Sequence, residues 1–367
     1  MVMFVQVSNY PSYSYLKRYR NTTTSAPAFK ATLSSQACSV KTERGVEYTM
    51  RVLGNRFSDL FQTKAVKEIT RNIAALTPKQ NKEFLAQLAE IGRLYATQKV
   101  IDVNVEDGIL EQLAQKGDST IFIMNHSNQS EDPQMLAVLN TLLAEAYKGV
   151  GAEAFPLPKI ILNEDILKTM NPTKRKAFEN FGAVGIDASV EGGDKGANAR
   201  AFYPLIKDFI RNKCNIFIFP EGRLAVRKDL DLHGRFQTGV ANIINKILGV
   251  KKEVRVVPVG FAYGQGKQKG LNAMQIGTPI LVKRNTDGAT TVTKGDIEKD
   301  TESCLYNFFE KRKDSVDVAI TSGGVPVVQT EVPKYLKTIL CENLEINSNM
   351  AQKRLEEPLD ESEIELH

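Results

Sequence analysis

Two regimes of hydrophobic spacing divide the chain. Over residues 56–75, Phe57, Leu60, Phe61, Val66 and Ile69 recur at helical intervals, the one-sided pattern of an amphipathic helix. Thr77-Pro78 reads as an N-cap with proline in the first helical turn. Phe84, Leu85, Leu88 and Ile91 carry a second helix to about Gln98. The pair predicts a helical hairpin. From about residue 100 the pattern changes, and short apolar runs alternate with helical ones. Residues 119–125 (STIFIMN), 159–162, 182–186, 215–219 (NIFIF) and 253–260 (EVRVVPVG) read as strands, with a further strand over 273–283. Helices are expected from Asp132, over 198–211, over Gly239–Leu248 and over 297–313. Strands alternating with helices predict an α/β fold: a mixed, mostly parallel sheet flanked by helices, with a smaller N-terminal helical unit. No internal repeat is present. The glycine-rich stretch at 192–196 lacks the strand-to-helix context of a phosphate-cradling loop.

Composition narrows the class. Hydrophobic residues are 42% of the chain and charged residues 25%, the mix of a globular protein with a substantial core. A net charge of +5 suits acidic partners such as an anionic lipid surface or an acidic carrier protein, and is too weak for a nucleic-acid binder. The four cysteines stand far apart without CxxC spacing, which fits a reducing compartment and no structural zinc. No apolar run reaches the length of about 18 residues that a membrane span needs. The first 42 residues hold lysine and arginine but no acid. Such a leader reads as a disordered tail or an organelle transit peptide. Acidic residues dominate 342–367, which reads as a solvated helix or a loose tail.

The chain has three histidines, and His367 is its last residue, so His126 and His233 are the candidates for histidine chemistry. His126 lies just beyond a predicted buried strand, where open α/β sheets gather their ligands. It opens the run Asn125-His126-Ser127-Asn128-Gln129-Ser130-Glu131-Asp132-Pro133. A carboxylate across such a loop can fix the imidazole tautomer and stabilise the imidazolium formed on proton abstraction. The competing reading makes Asp132 only a helix cap and His126 only a loop residue. A second constellation, Phe219-Pro220-Glu221-Gly222-Arg223, follows another predicted strand. Gly222 permits a turn, Arg223 offers a donor fork suited to phosphate, and Glu221 can orient that arginine or meet a substrate hydroxyl. A third is the strand Val256-Val257-Pro258-Val259-Gly260.

Taken in order, NHSNQSEDP, FPEGR and VVPVG resemble the blocks of the glycerolipid acyltransferase family, which includes glycerol-3-phosphate and lysophosphatidate acyltransferases. The resemblance covers about residues 118–285. The N-terminal helical unit and the run Lys195-Gly196-Ala197-Asn198-Ala199-Arg200 are similar to the soluble plastid-type branch, whereas FPEGR is closer to the membrane-bound one. Composition, spacing and the resemblance together divide the chain into a disordered leader (1–45), a helical hairpin (46–99), an α/β acyltransferase domain (100–340) and an acidic tail (341–367).

The resemblance implies acyl transfer from a thioester, on acyl carrier protein or CoA, to a hydroxyl of glycerol-3-phosphate or lysophosphatidate. It requires no cofactor and no metal. His126 is then the general base. Family spacing puts its acid at Glu131, but the Asp-Pro pair that anchors a helix start comes one residue later and favours Asp132. Phosphate contacts fall to Arg223, Gly222, Glu221, Lys195 and Arg200, with Arg227 and Lys228 nearby. The expected setting is cytoplasmic with peripheral contact to an anionic membrane, or the plastid stroma if the leader is a transit peptide. A hydrolase using the same histidine–acid pair and a non-catalytic lipid-binding scaffold are the rival readings.

Overall fold

The structure is a computed structural model. It describes residues 64–76, 81–98, 100–106, 108–128, 131–149, 156–187, 195–222, 236–265, 270–284, 290–294 and 332–356, together with short strand segments between 18 and 52 and between 304 and 328. The predicted helix start at Thr77-Pro78 and the acid-free leader up to residue 17 lie outside the described residues, as does His233.

The central strands are apolar on consecutive positions because both of their faces are covered. The strands β1 (Val100–Glu106), β2 (Thr120–Met124), β3 (Leu157–Asn163), β4 (Ala183–Ile186) and β5 (Cys214–Ile218) are followed by β6 (Glu253–Tyr263). Five of them run parallel in the order β4-β3-β5-β2-β6. Along β2, Phe122 and Met124 enter one core while Ile121 and Ile123 enter another. On β5, Phe217 joins the first core and stacks on Phe122, with centroids 4.8 Å apart, while Ile216 and Ile218 join the second.

Beyond β6 the sheet turns antiparallel. The strand predicted over 273–283 is a hairpin of two, β7 (Leu271–Ile276) and β8 (Ile280–Arg284), divided at Gly277-Thr278-Pro279. β8 pairs with the first half of β6 and β7 with its second half. β7 is parallel to β1. A strand at Gly45–Val52 pairs antiparallel with β1, so the interval expected to hold only the hairpin also contributes to the sheet. Residues 304–308, inside the helix expected over 297–313, form a strand. The sequence Cys-Leu-Tyr-Asn-Phe there has the aromatic composition that suits a pleated surface.

Helices α1 (Lys64–Ala75), α2 (Asn81–Gln98), α3 (Ile109–Lys116) and α4 (Asp132–Gly149) cover the first core. The N-terminal hairpin is present and packed. α2 lies against α4 so closely that a Cβ on Gly92 would stand 2.5 Å from Thr141 Oγ1. Two short helices escaped the sequence reading, α5 (Glu164–Thr169) and α6 (Pro172–Asn180). Asn163 and Asn171 cap them, and Pro172 occupies the first turn of α6, the same signal that Thr77-Pro78 carries. Asn180 at the end of α6 donates to the carbonyls of Ile73 and Leu76, at 2.6 and 3.0 Å, and ties it to the end of α1.

The second core is covered by α7 (Lys195–Ile210), α8 (Gly239–Leu248) and the first half of α9 (Val332–Glu356). α9 bears out the helix reading of the acidic segment as far as Glu356 and corrects its solvated character, while residues 357–367 lie outside the described residues. Its acids face outward, but Leu344, Ala351 and Leu355 recur on one buried face. Arg354 donates twice to the buried Asp102 on β1, at 3.1 and 3.2 Å. Composition over 342–367 averaged this apolar stripe away.

Two predictions follow from the packing. A Cβ on Gly260 would lie 2.2 Å from the Asn347 carbonyl of α9. Gly260→Ala is therefore expected to cost about 1–3 kcal/mol in urea unfolding, the usual penalty of overpacking, and an unchanged midpoint would contradict this packing. The second concerns Glu111 on α3, which is buried and whose Oε1 has no hydrogen-bond partner among the described residues. Burial pushes its carboxyl from 4.5 up to about 7. The folded protein therefore binds this proton more tightly than the unfolded chain, and stability falls as pH rises from 4.5 toward 7. Glu111→Gln is expected to match the parent protein at pH 4 and exceed it at pH 8, by up to roughly 3 kcal/mol. Equal pH profiles for the two proteins would refute it.

Candidate active site

A side chain continues the sheet where the strand stops. Asn125 follows β2, its Nδ2 donating to the Phe261 carbonyl at 2.8 Å and its Oδ1 accepting from the Phe261 N–H at 2.6 Å. This extends the pairing of Met124 with Val259 by one step and sets where the chain leaves β2. The next residue is His126. Its backbone N–H donates to Oε1 of Glu221 at 2.8 Å, and Glu221 is buried just beyond the neighbouring β5. Three strand ends therefore fix the histidine backbone.

The imidazole faces the start of α4, with Nδ1 2.5 Å from Oδ2 of Asp132. With the carboxylate accepting, Nδ1 carries the hydrogen and Nε2 is the basic nitrogen. Asp132 is held from two other directions. The Asn128 N–H donates to Oδ2 at 3.2 Å, and the Tyr263 hydroxyl, from the end of β6, donates to Oδ1. The Phe219 ring packs beside the imidazole with centroids 4.9 Å apart. The His126 side chain keeps 19% exposure against 1% for Asp132, so the base meets solvent while its partner does not. Burial raises the Asp132 carboxyl above its ordinary 3.8, opposed by the hydrogen bond and charge of His126 and by the bonds from Tyr263 and Asn128. The first helical turn, where Asp132 sits, also favours the anion.

The two candidate acids separate cleanly. Glu131 accepts at Oε2 from Asn272 Nδ2, 2.8 Å away on β7, and its carbonyl takes the first helical bond from Met135 N–H. Asp132 is the acid that meets His126, and its carboxylate reaches back to the loop rather than forward as a cap.

Glu221, one of the candidates for the substrate site, is buried, and its Oε1 braces the histidine loop. Gly222 is exposed with φ of +67°, a left-handed turn that glycine adopts without strain. Arg200 is exposed on α7. Arg223, Arg227, Lys228 and the Lys195 side chain lie outside the described residues. Sequence reasoning missed Tyr263 because it ended the strand at Gly260, three residues early. The FAY continuation of the apolar run was the available signal.

A histidine with one nitrogen on a buried carboxylate and the other toward solvent, at the carboxyl end of a central strand, can take a proton from a hydroxyl or from water. Fold and site together define an α/β protein with a histidine–carboxylate pair at the carboxyl end of its central strands. Residues 104–262, the segment that holds His126, Asp132 and Glu221, match a family model described as Acyltransferase. No curated protein matches the chain. Among the described residues no helix is long and apolar enough to cross a membrane.

The raised carboxyl gives a stability prediction. The folded state holds the Asp132 proton more tightly than the unfolded chain, so its contribution is greatest below 3.8 and declines as pH rises above that value. At neutral pH the buried charge is a net cost. Asp132→Asn keeps an acceptor oxygen and removes the charge. Its urea midpoint at pH 8 is expected to be no lower than that of the parent protein, and a loss greater than about 1 kcal/mol would show that the carboxylate holds the fold together.

Proposed function

We propose that this protein transfers a fatty acyl group from a thioester, on acyl carrier protein or CoA, to a hydroxyl of glycerol-3-phosphate or lysophosphatidate. The observation that carries the reading is the His126–Asp132 hydrogen bond, inside the segment that matches the acyltransferase model. Nε2 of His126 takes the hydroxyl proton as the oxygen attacks the thioester carbon. Asp132 stabilises the imidazolium, and Tyr263 and Asn128 hold that carboxylate in place. As the tetrahedral intermediate collapses, the C–S bond breaks and the proton passes from Nε2 to the departing thiolate. The step uses no covalent acyl-enzyme and no metal. Arg223, which follows the left-handed turn at Gly222, is assigned the acceptor phosphate, which positions the hydroxyl for attack. Lys195 and Arg200 are secondary candidates. The leader and the +5 charge fit either a cytoplasmic setting with peripheral membrane contact or the plastid stroma.

The test measures thiol release from acyl-CoA and from acyl carrier protein thioester, each with and without the two acceptors. Thiol release that requires an acceptor, with acyl-glycerol product formed, is the expected result. Release into water without any acceptor would make the protein a hydrolase, and no release under any condition would make it a scaffold. His126→Ala is expected to abolish transfer. Asp132→Asn is expected to lower kcat roughly 10²–10⁴-fold, the scale of a positioned acid–base function, while Glu131→Gln stays within a few-fold of the parent. If Asp132→Asn keeps full turnover, the dyad is refuted.

A further inference from the structure

A cavity of about 370 Å³ opens one residue beyond the dyad, where Pro133 lines it. Its body is apolar, formed by Leu136, Ala137, Ile160, Ala177, Phe178 and Phe181. Its rim is cationic. Lys67 and Arg71 reach it from α1 and Lys174 from α6, all exposed. Among the described residues neither Lys67 nor Arg71 pairs with a carboxylate. A further feature lies in the wall. Asn140 on α4 lines the cavity and is 2% exposed, yet its Oδ1 has no hydrogen-bond partner among the described residues. Its Nδ2 is spent on the Leu136 carbonyl at 2.9 Å. A buried acceptor left without a donor carries a desolvation cost, and a ligand that brings an N–H or O–H relieves it.

We propose that this cavity binds a long acyl chain joined to a phosphate-bearing head. The chain lies against α4 and α6, and the head meets Lys67, Arg71 and Lys174. The volume falls within the roughly 300–1,000 Å³ usual for ligand sites. Apolar walls alone would take any lipid. Three cations at the mouth, two of them supplied by the N-terminal hairpin, select an anionic amphiphile, and paired donors in an arginine fork suit phosphate. This gives the hairpin a role in recognition as well as in packing. The choice of ligand rests on the acyl-transfer reading, because both a phosphopantetheine-borne acyl group and an acylglycerol phosphate have this chemistry. The site itself rests on the cavity, its rim and Asn140.

The chain contains no tryptophan, so Thr173→Trp on the exposed rim places a single indole at the mouth. Binding is read by its emission in the His126→Ala background, where the result does not depend on turnover. Dodecyl phosphate and dodecanol, both below micellar concentrations, are the probes. Dodecyl phosphate is expected to bind saturably and at least about tenfold more tightly than dodecanol, a difference near 1.4 kcal/mol. The double variant Lys67→Glu and Arg71→Glu is expected to remove that preference and leave dodecanol binding unchanged. Lys176→Glu, on α6 but off the cavity, is expected to change neither.

Displacement of dodecyl phosphate by palmitoyl-CoA identifies the donor as ligand, and displacement by 1-palmitoylglycerol-3-phosphate identifies the acceptor. Equal affinity for the two probes, an equal loss in Lys176→Glu, no saturable binding in a protein with native circular dichroism, or displacement by neither lipid would each overturn the proposal.

Discussion

The hydrogen bond between His126 and Asp132 places a carboxylate where water does not reach, and much of the neighbouring structure answers that one difficulty. A buried anion is tolerated only when its oxygens are engaged. Here the imidazole and the Asn128 N–H serve one oxygen and the Tyr263 hydroxyl the other. The donors come from the loop after β2 and from the end of β6. Those strands are neighbours in register, and Asn125 extends their pairing past the last backbone bond. Glu221, from the third strand, holds the histidine N–H. The parallel sheet thus brings the loop after β2, the end of β6 and the segment after β5 together around the histidine–carboxylate pair.

That arrangement separates the two ends of the histidine. Nδ1 is committed to the interior and Nε2 is left toward solvent, so the residue is oriented before any substrate arrives. In the proposed reaction, a general base in this state needs no rearrangement at the moment of proton transfer, which is where preorganised polar sites gain their advantage over water. The Phe219 ring beside it limits how far the imidazole can turn.

Much of this was legible in the sequence, for a physical reason. Strands buried on both faces must be apolar at consecutive positions, so STIFIMN, NIFIF and VRVVPVG stood out, and the loops after them held the polar residues. Asp132 was favoured over Glu131 because Asp-Pro marks a helix start, and the helix does begin there. The same logic misjudged what the carboxylate does, since capping and reaching back to a histidine leave the same letters. The bond from the His126 N–H to Glu221 was not legible, because a glutamate before Gly-Arg reads equally well as a partner for the arginine or as a brace for a distant N–H. The buried face of the second half of α9 was lost to averaging. Most acids of 342–367 follow Glu356, whereas Leu344, Ala351 and Leu355 are spaced to form one stripe, and window composition has no sense of direction. The cavity rim could not be read at all, because Lys67, Arg71 and Lys174 meet only when α1 and α6 pack.

The placement of α9 bears on how a newly made chain matures. β6 ends at Tyr263, but the helix that covers one of its faces, Val332–Glu356, is made well after it. Until that helix emerges from the ribosome, Val254 and Val256 lack their cover and Asp102 lacks Arg354. The nascent protein therefore holds the loop sequences around His126 long before it can hold them still, and a chain lacking α9 would expose an apolar sheet face that chaperones and proteases recognise.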